Sequence, residues 1–227
     1  KMMVVHSPTN PTGAVQGRAT LQALAETAIR HDLLVISDEI YEKLIYDGAE
    51  HISIGSFPGM AERTLTLNGF SKAYAMTGWR LGYVAGPAPL IASLLKAHQI
   101  TTTCATSFAQ WGGVTAYRGD QSCVGEMARE FDRRRRLVVD SMQQMPGVRL
   151  AVPRGAFYVF PDFSAFGLAD MELAEYLLKE ARLAAVPGGE FGAPGHLRFS
   201  YAAQYEAIAD GMARMAKALE ALPAGRG

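Results

Sequence analysis

The stretch LQALAETAIRHDLLVI, residues 21–36, changes its apolar rhythm part-way along, and that change decides the fold. Leu21, Leu24, Ala25, Ala28 and Ile29 recur at the three-and-four spacing of a helix with one apolar stripe. Residues 33–36 then form a short continuous apolar run, the pattern of a buried strand. Residues 2–5, MMVV, read the same way, so strand, helix and strand make a crossover unit. Crossovers of this kind imply an α/β fold with a mostly parallel sheet. Further strands are predicted at residues 64–67 and 81–85, which places the sheet within residues 1–86. Pro87 and Pro89 mark the start of a helical stretch from about residue 90.

From about Glu126 the composition shifts to a long charged helix. Short strands are predicted at 148–152 and 157–160, a helix at 171–182 and a last strand at 197–201, which together read as a smaller α+β domain. A terminal helix over 205–222 carries Ile208, Met212, Met215 and Leu219 on one face, and its methionines read as core. The tail, residues 223–227, is predicted to be disordered. In the run Arg133–Arg136, Glu130 with Arg134 and Asp132 with Arg136 are i,i+4 pairs, so the run reads as a solvated helical face.

Lysine plus arginine and aspartate plus glutamate both number 22, and 49% of residues are hydrophobic, a balance that calls for neither a nucleic-acid nor a membrane partner. Cys104 and Cys123 form no CxxC pair, so a reducing, cytoplasmic setting is expected. The scattered histidines show no HxH or HExxH spacing, and no metal site is expected. The chain begins with Lys1, and KMMVVH is already strand-like, so the sequence is expected to open in the middle of a fold.

The segment GFSKAYAMTGWRLGY, residues 69–83, sets one lysine, Lys72, among small, apolar and aromatic neighbours. A lysine near a second cation or in an apolar pocket has a lowered pKa, and its neutral amine is a nucleophile for carbonyl carbon. Arg80 offers either that cation or, with the Ser71 hydroxyl, a phosphate ligand. Lysine, serine and arginine in one segment point to a phosphorylated carbonyl cofactor.

Together with HSPTNPTG (residues 6–13), VISDEIYEKLIYDG (35–48), PRGAFYVFPDF (153–163) and AVPGGEFG…GHLRFSYA, this segment resembles the class I/II aminotransferases, fold type I pyridoxal-phosphate enzymes, and within them the aspartate-aminotransferase-like subgroup. The resemblance covers essentially the whole chain. It implies the C-terminal portion of a large cofactor-binding domain at 1–115, a small C-terminal domain at 116–227, and an absent N-terminal part. It also implies that Lys72 holds pyridoxal 5'-phosphate as an internal aldimine and moves the substrate's Cα proton. By the same resemblance Asp38 pairs with the pyridine nitrogen, Asn10 and Tyr41 bond the phenolic oxygen, Ser71 and Arg80 hold the phosphate, and Arg198 takes the substrate α-carboxylate. Gly69 departs from the pattern, since some aspartate aminotransferases have serine three residues before the lysine. Phe157 and Tyr158 resemble a family segment near the substrate entrance, but an aromatic pair on a strand reads as core, or as one core and one exposed residue.

The implied activity is amino-group transfer from an L-amino acid to a 2-oxo acid, in a homodimer. Other readings on the same scaffold are a carbon–sulfur lyase, an aminocyclopropanecarboxylate-synthase-like enzyme, or a cofactor-binding sensor domain of a transcriptional regulator. DEIY at residues 38–41, where many of the lyases have DEIH, favours the transferase.

Overall fold

In the computed structural model, which describes residues 1–222, the chain forms two compact units. The first comprises residues 1–8 and 15–128, and the second comprises residues 9–14 and those from 129 onward. The division falls at 128/129, close to the composition shift at Glu126, where the expected boundary was 115/116. It lies within one continuous helix, so no linker or loop marks it.

The first unit contains β1 (Met2–His6), α1 (Arg18–Arg30), β2 (Leu34–Asp38), β3 (Thr64–Gly69), β4 (Gly82–Ala85), α2 (Ala88–Thr101) and α3 (Ser107–Arg118). Its sheet has the order β1-β2-β3-β4, with the first three strands parallel and β4 antiparallel to β3. The mostly parallel α/β sheet is thus present, as is the crossover through α1. Leu21, Ala25 and Ala28 of α1 pack with Val5 and Val35, while Ile29, at the edge of the stripe, is 43% exposed. Helix α3 has no counterpart in the predicted elements. Gly112 and Gly113 interrupt its pattern because Trp79 and Phe70 pack where a Cβ would stand, 2.6 and 3.0 Å away.

Helix α4 (Ser122–Gln143) is followed by β5 (Tyr158–Val159), α5 (Asp170–Glu180), β6 (Val186–Pro187), β7 (Leu197–Ser200) and α6 (Tyr205–Glu220). The second unit's sheet runs β5-β7-β6, antiparallel throughout. Residues 148–152 form no strand. Between Gly147 at φ +85° and Pro153, only Arg149 pairs, with Asp162. Helix α6 buries Ile208, Met212, Met215 and Leu219, as its spacing implies. Glu130 and Asp132 bind Arg134 and Arg136 at 2.8 and 3.0 Å, but Arg135 is not solvated: it is 3% exposed and donates to the Pro153 carbonyl at 2.9 Å. A side chain i+3 from Asp132 can turn inward while its neighbours face out. The predicted disorder of residues 223–227 lies outside the described residues.

Candidate active site

Strands β1 and β2 end on His6 and Asp38, which stand opposite each other in the ladder. The chain leaving β3 at Gly69 runs directly into Ser71 and Lys72. All four residues therefore gather at the carboxyl end of the parallel strands, where open α/β sheets bind ligands.

The Asp38 carboxylate is about one-third exposed (36%). Its Oδ1 accepts the Ile40 N–H at 3.2 Å, and its Oδ2 lies 3.9 Å from His6 Nε2. Tyr41 is 4% exposed. Its ring stacks on His6 at 6.0 Å between centroids, and the half-buried Lys72 places Nζ 5.8 Å from the centre of the same ring. That distance is within cation–π range. Asp38, Tyr41 and Lys72 thus share a neighbourhood with His6, which sequence reasoning passed over. Its signal was available, because His6 closes the first predicted strand at the same sheet end as Asp38.

Ser71, Lys72 and Arg80 occupy one loop. It is closed by antiparallel pairing of Gly69 with Gly82 and by the Phe70 N–H donating to the Leu81 carbonyl at 3.3 Å. A Cβ on Gly69 would stand 2.9 Å from Gly82 Cα and 3.0 Å from the Leu81 carbonyl oxygen. The departure from serine at this position therefore matches a close strand approach that has no room for a side chain. Arg80 is exposed at φ +51°, with Nη1 donating to the Thr77 carbonyl at 2.9 Å. The remaining guanidinium N–H groups are donors suited to an anion. The Ser71 hydroxyl, half-buried, makes no hydrogen bond among the described residues.

Beside this loop Phe70, Tyr74, Tyr83 and Tyr117 form an aromatic cluster, with Phe70 and Tyr117 4.8 Å apart. Burial pushes the Tyr117 hydroxyl far above the usual phenol range, reinforced by its hydrogen bond to the Tyr83 hydroxyl at 2.6 Å. The Tyr117 phenol therefore stays neutral.

Asn10 and Arg198 belong to the second unit. Arg198, on β7, donates Nη1 to Asn10 Oδ1 at 2.8 Å, and its guanidinium carbon lies 4.8 Å from the Tyr158 ring centre and 5.0 Å from that of Phe191. A guanidinium flanked by aromatic faces keeps its fork in one plane. Tyr158 is buried, as expected for a core aromatic, yet it also supports this arginine. Nothing in the spacing of Phe191 signals its part. The Asn10 segment is itself clamped: the Gly13 carbonyl accepts N–H groups from Arg154 and Gly155 at 3.0 and 2.8 Å.

One group of possible metal ligands occurs among the described residues, Glu39, Glu42 and His51, with one ligand atom from each within 4.8 Å of the others. Glu39 already accepts hydrogen bonds from His51, Ser37 and Ser53, while the Glu42 carboxylate lies 3.7 Å from Lys43 Nζ.

The family model for aminotransferase class I and II matches residues 1–214. The chain is 46% identical over 223 residues to an aspartate aminotransferase of Pyrococcus abyssi, covering 96% of this chain and 57% of that protein. It is 42% identical over 224 residues to aromatic-amino-acid aminotransferase 2 of Thermococcus litoralis, covering 97% and 57%. Among solved structures, an aromatic aminotransferase from Pyrococcus horikoshii superposes with a TM-score of 0.94 at 45% identity, over 97% of this chain and 60% of that one. The chain therefore spans somewhat over half the length of the relatives it matches.

Proposed function

Because the chain belongs to the aminotransferase class I and II family, we propose that it carries the lysine-bearing part of a pyridoxal-phosphate enzyme that moves an amino group from an L-amino acid to a 2-oxo acid. The observation that carries this reading is the gathering of Lys72, Asp38, Tyr41 and His6 at one sheet end, with Lys72 Nζ over the Tyr41 ring. Their chemistry fits the cofactor: an amine for its carbonyl carbon, a carboxylate for a protonated ring nitrogen, a phenol for its phenolic oxygen, and Ser71 with Arg80 for its phosphate. Pyridoxal phosphate, when bound, supplies an aromatic ring that accepts the electrons released at the substrate Cα.

The chain's own residues do the rest. Asp38 would hold a proton at the ring nitrogen by charge, Tyr41 and Asn10 would orient the ring, and Lys72 Nζ would take up and return the Cα proton. Arg198 binds the α-carboxylate through two parallel N–H groups, while Asn10 holds its orientation. The carboxylate is common to all amino acids, so Arg198 sets the substrate class and leaves side-chain choice to other groups. The names of the relatives, aspartate and aromatic-amino-acid aminotransferases, agree with that class. A cytoplasmic homodimer completes the reading. Cys104 and Cys123 are both free and exposed, which suits a reducing compartment, and no helix among the described residues is long and apolar enough to cross a membrane.

The test is an absorbance spectrum after addition of pyridoxal phosphate, compared with Lys72→Ala. A visible band that requires Lys72, and that borohydride abolishes while fixing the cofactor to the chain, supports the assignment. A band that survives Lys72→Ala with unchanged fixation overturns it.

A further inference from the structure

The turn that presents Asp38 and Tyr41 is held from behind by one buried carboxylate. Glu39 is 4% exposed. Its Oε1 accepts the Ser37 hydroxyl at 2.8 Å and the Ser53 hydroxyl at 2.6 Å, and its Oε2 meets His51 Nε2 at 2.9 Å. Ser37 belongs to β2, whereas His51 and Ser53 precede Ile54, which is 1% exposed in the core around α1. The carboxylate thus ties the end of β2 to a segment rooted in that core. Burial alone would raise the Glu39 pKa, but hydrogen bonds from His51, Ser53 and Ser37 outweigh it and hold the carboxyl below its usual range. A buried charge with this set of donors is a costly feature to leave without a role.

Its backbone shows what it controls. The Asp38 carboxylate accepts the N–H of Ile40, which is the far side of the Glu39–Ile40 peptide. The Glu39 N–H donates to the Leu67 carbonyl at 2.9 Å, and the Glu39 carbonyl accepts the Glu42 N–H at 2.9 Å, closing the turn that contains Tyr41. Moving Glu39 therefore moves the donor that sets Asp38 and the turn that sets Tyr41.

We propose that Glu39, clamped by Ser37, His51 and Ser53, is a positioning residue that holds Asp38 and Tyr41 in the orientation their roles at the cofactor require. This rests on the reading of Asp38 as partner of the ring nitrogen. Glu39 acts through the turn, since both its oxygens are engaged by protein donors. Once the turn loosens, Asp38 stabilises the ring-nitrogen proton less well, the ring withdraws electrons less, and the pH at which the bound cofactor changes its absorbance moves upward.

The experiment uses the protein expressed from its full coding sequence, with pyridoxal phosphate titrated into the unsubstituted protein, Lys72→Ala, Glu39→Gln and Ser53→Ala. Affinity, the pH midpoint of the absorbance change and the thermal stability of the cofactor-free protein are recorded for each. Glu39→Gln is expected to weaken binding on the order of tenfold, the lower range for loss of an outer-shell partner at metal sites, and to raise the midpoint. Ser53→Ala removes one donor and is expected to shift both in the same direction by less. Should Glu39→Gln fail to fold, Ser53→Ala decides by the same two readouts. Lower thermal stability with unchanged affinity and midpoint would make Glu39 a purely structural residue and overturn the proposal while the site reading stands. Absence of a Lys72-dependent band in the unsubstituted protein would overturn that reading and the proposal with it.

Discussion

Helix α2 is more apolar in sequence than α6 and nearly as long, yet α6 buries Ile208, Gly211, Met212, Met215, Ala218 and Leu219 while α2 buries nothing. The contrast extends to the units that carry them. In the second unit one cluster runs from Val138 to Leu219 and includes Met142, Leu177, Leu197 and Met215, all with no exposure. In the first, a smaller cluster packs α1 against β1 and β2, while Ile100, Trp111 and Phe108 stand 87, 72 and 71% exposed. Among the described residues, all the exposed large hydrophobics except Val152, Met171 and Leu178 belong to the first unit. A helix that is apolar all round is composed for burial on several sides. The second unit is therefore stabilised from within, whereas the first carries a surface suited to further packing.

Core truncation tests that difference most strongly. Leu177→Ala in the second unit is expected to cost about 2–5 kcal/mol, because a closed core leaves a cavity where the side chain was. Leu95→Ala, at a position 50% exposed, is expected to stay within about 0.5 kcal/mol. Both tryptophans, Trp79 and Trp111, lie in the first unit, so their fluorescence follows it separately from the circular dichroism of the whole. If Leu177→Ala moved the tryptophan transition as far as the other, the two units would be one cooperative body and the contrast would fail.

What was legible in the sequence follows the same division of local from distant. The β1–α1–β2 crossover was readable because residues 2–36 state it by spacing alone, and Lys72 stood out because its neighbours are uncharged. Helix α3 was not, because its glycines answer to Trp79 and Phe70, residues from another part of the chain. Arg135 looked like its neighbours in the arginine run, and only the position of Pro153 explains its burial. Glu39 reads as one more acid in SDEIY; its partners His51 and Ser53 come from a loop with no period to announce them. Residues 9–14 join the second unit through contacts with residues 153–155, a pairing no local pattern encodes.

That distant pairing gives the next test. Gly13 has φ +67°, and a Cβ there would lie 2.4 Å from Pro153 Cβ and 2.7 Å from the Gly155 carbonyl oxygen. Gly13→Ala should cost about 2–4 kcal/mol from backbone strain and overpacking together. Hydrogen exchange at the Arg154 and Gly155 amides, which donate to the Gly13 carbonyl, is the sharper readout. Unchanged protection there would mean that residues 9–14 are not anchored by the second unit.

Acid should also distinguish the second unit. Burial opposes ionisation of Asp162, but the Ser164 N–H and hydroxyl and the Arg149 guanidinium outweigh it and bring the carboxyl to about 2. A depressed folded pKa means that the stabilisation is present above the ordinary aspartate range and is lost as pH falls through that range toward about 2. Arg149 is largely exposed, so screening limits the contribution to about 1 kcal/mol. Asp162→Asn should remove this part of the acid sensitivity from the second unit's transition. An acid midpoint that the substitution leaves unmoved would assign the sensitivity elsewhere.

The smallest expected effect lies on α4. Arg136 pairs with Asp132 at 3.0 Å, but its side chain is 64% exposed. Exposed pairs of this kind gain little, because water screens the attraction and holding two long side chains costs entropy. Arg136→Ala should change stability by less than about 0.5 kcal/mol, and the difference should shrink further in salt. A loss as large as that of a core truncation would show that Asp132 needs Arg136 to hold Arg135, which donates to the same carboxylate at 2.8 Å. The second unit's interior would then reach its surface through one aspartate, and the separation between a closed core and a solvated helix face would no longer hold there.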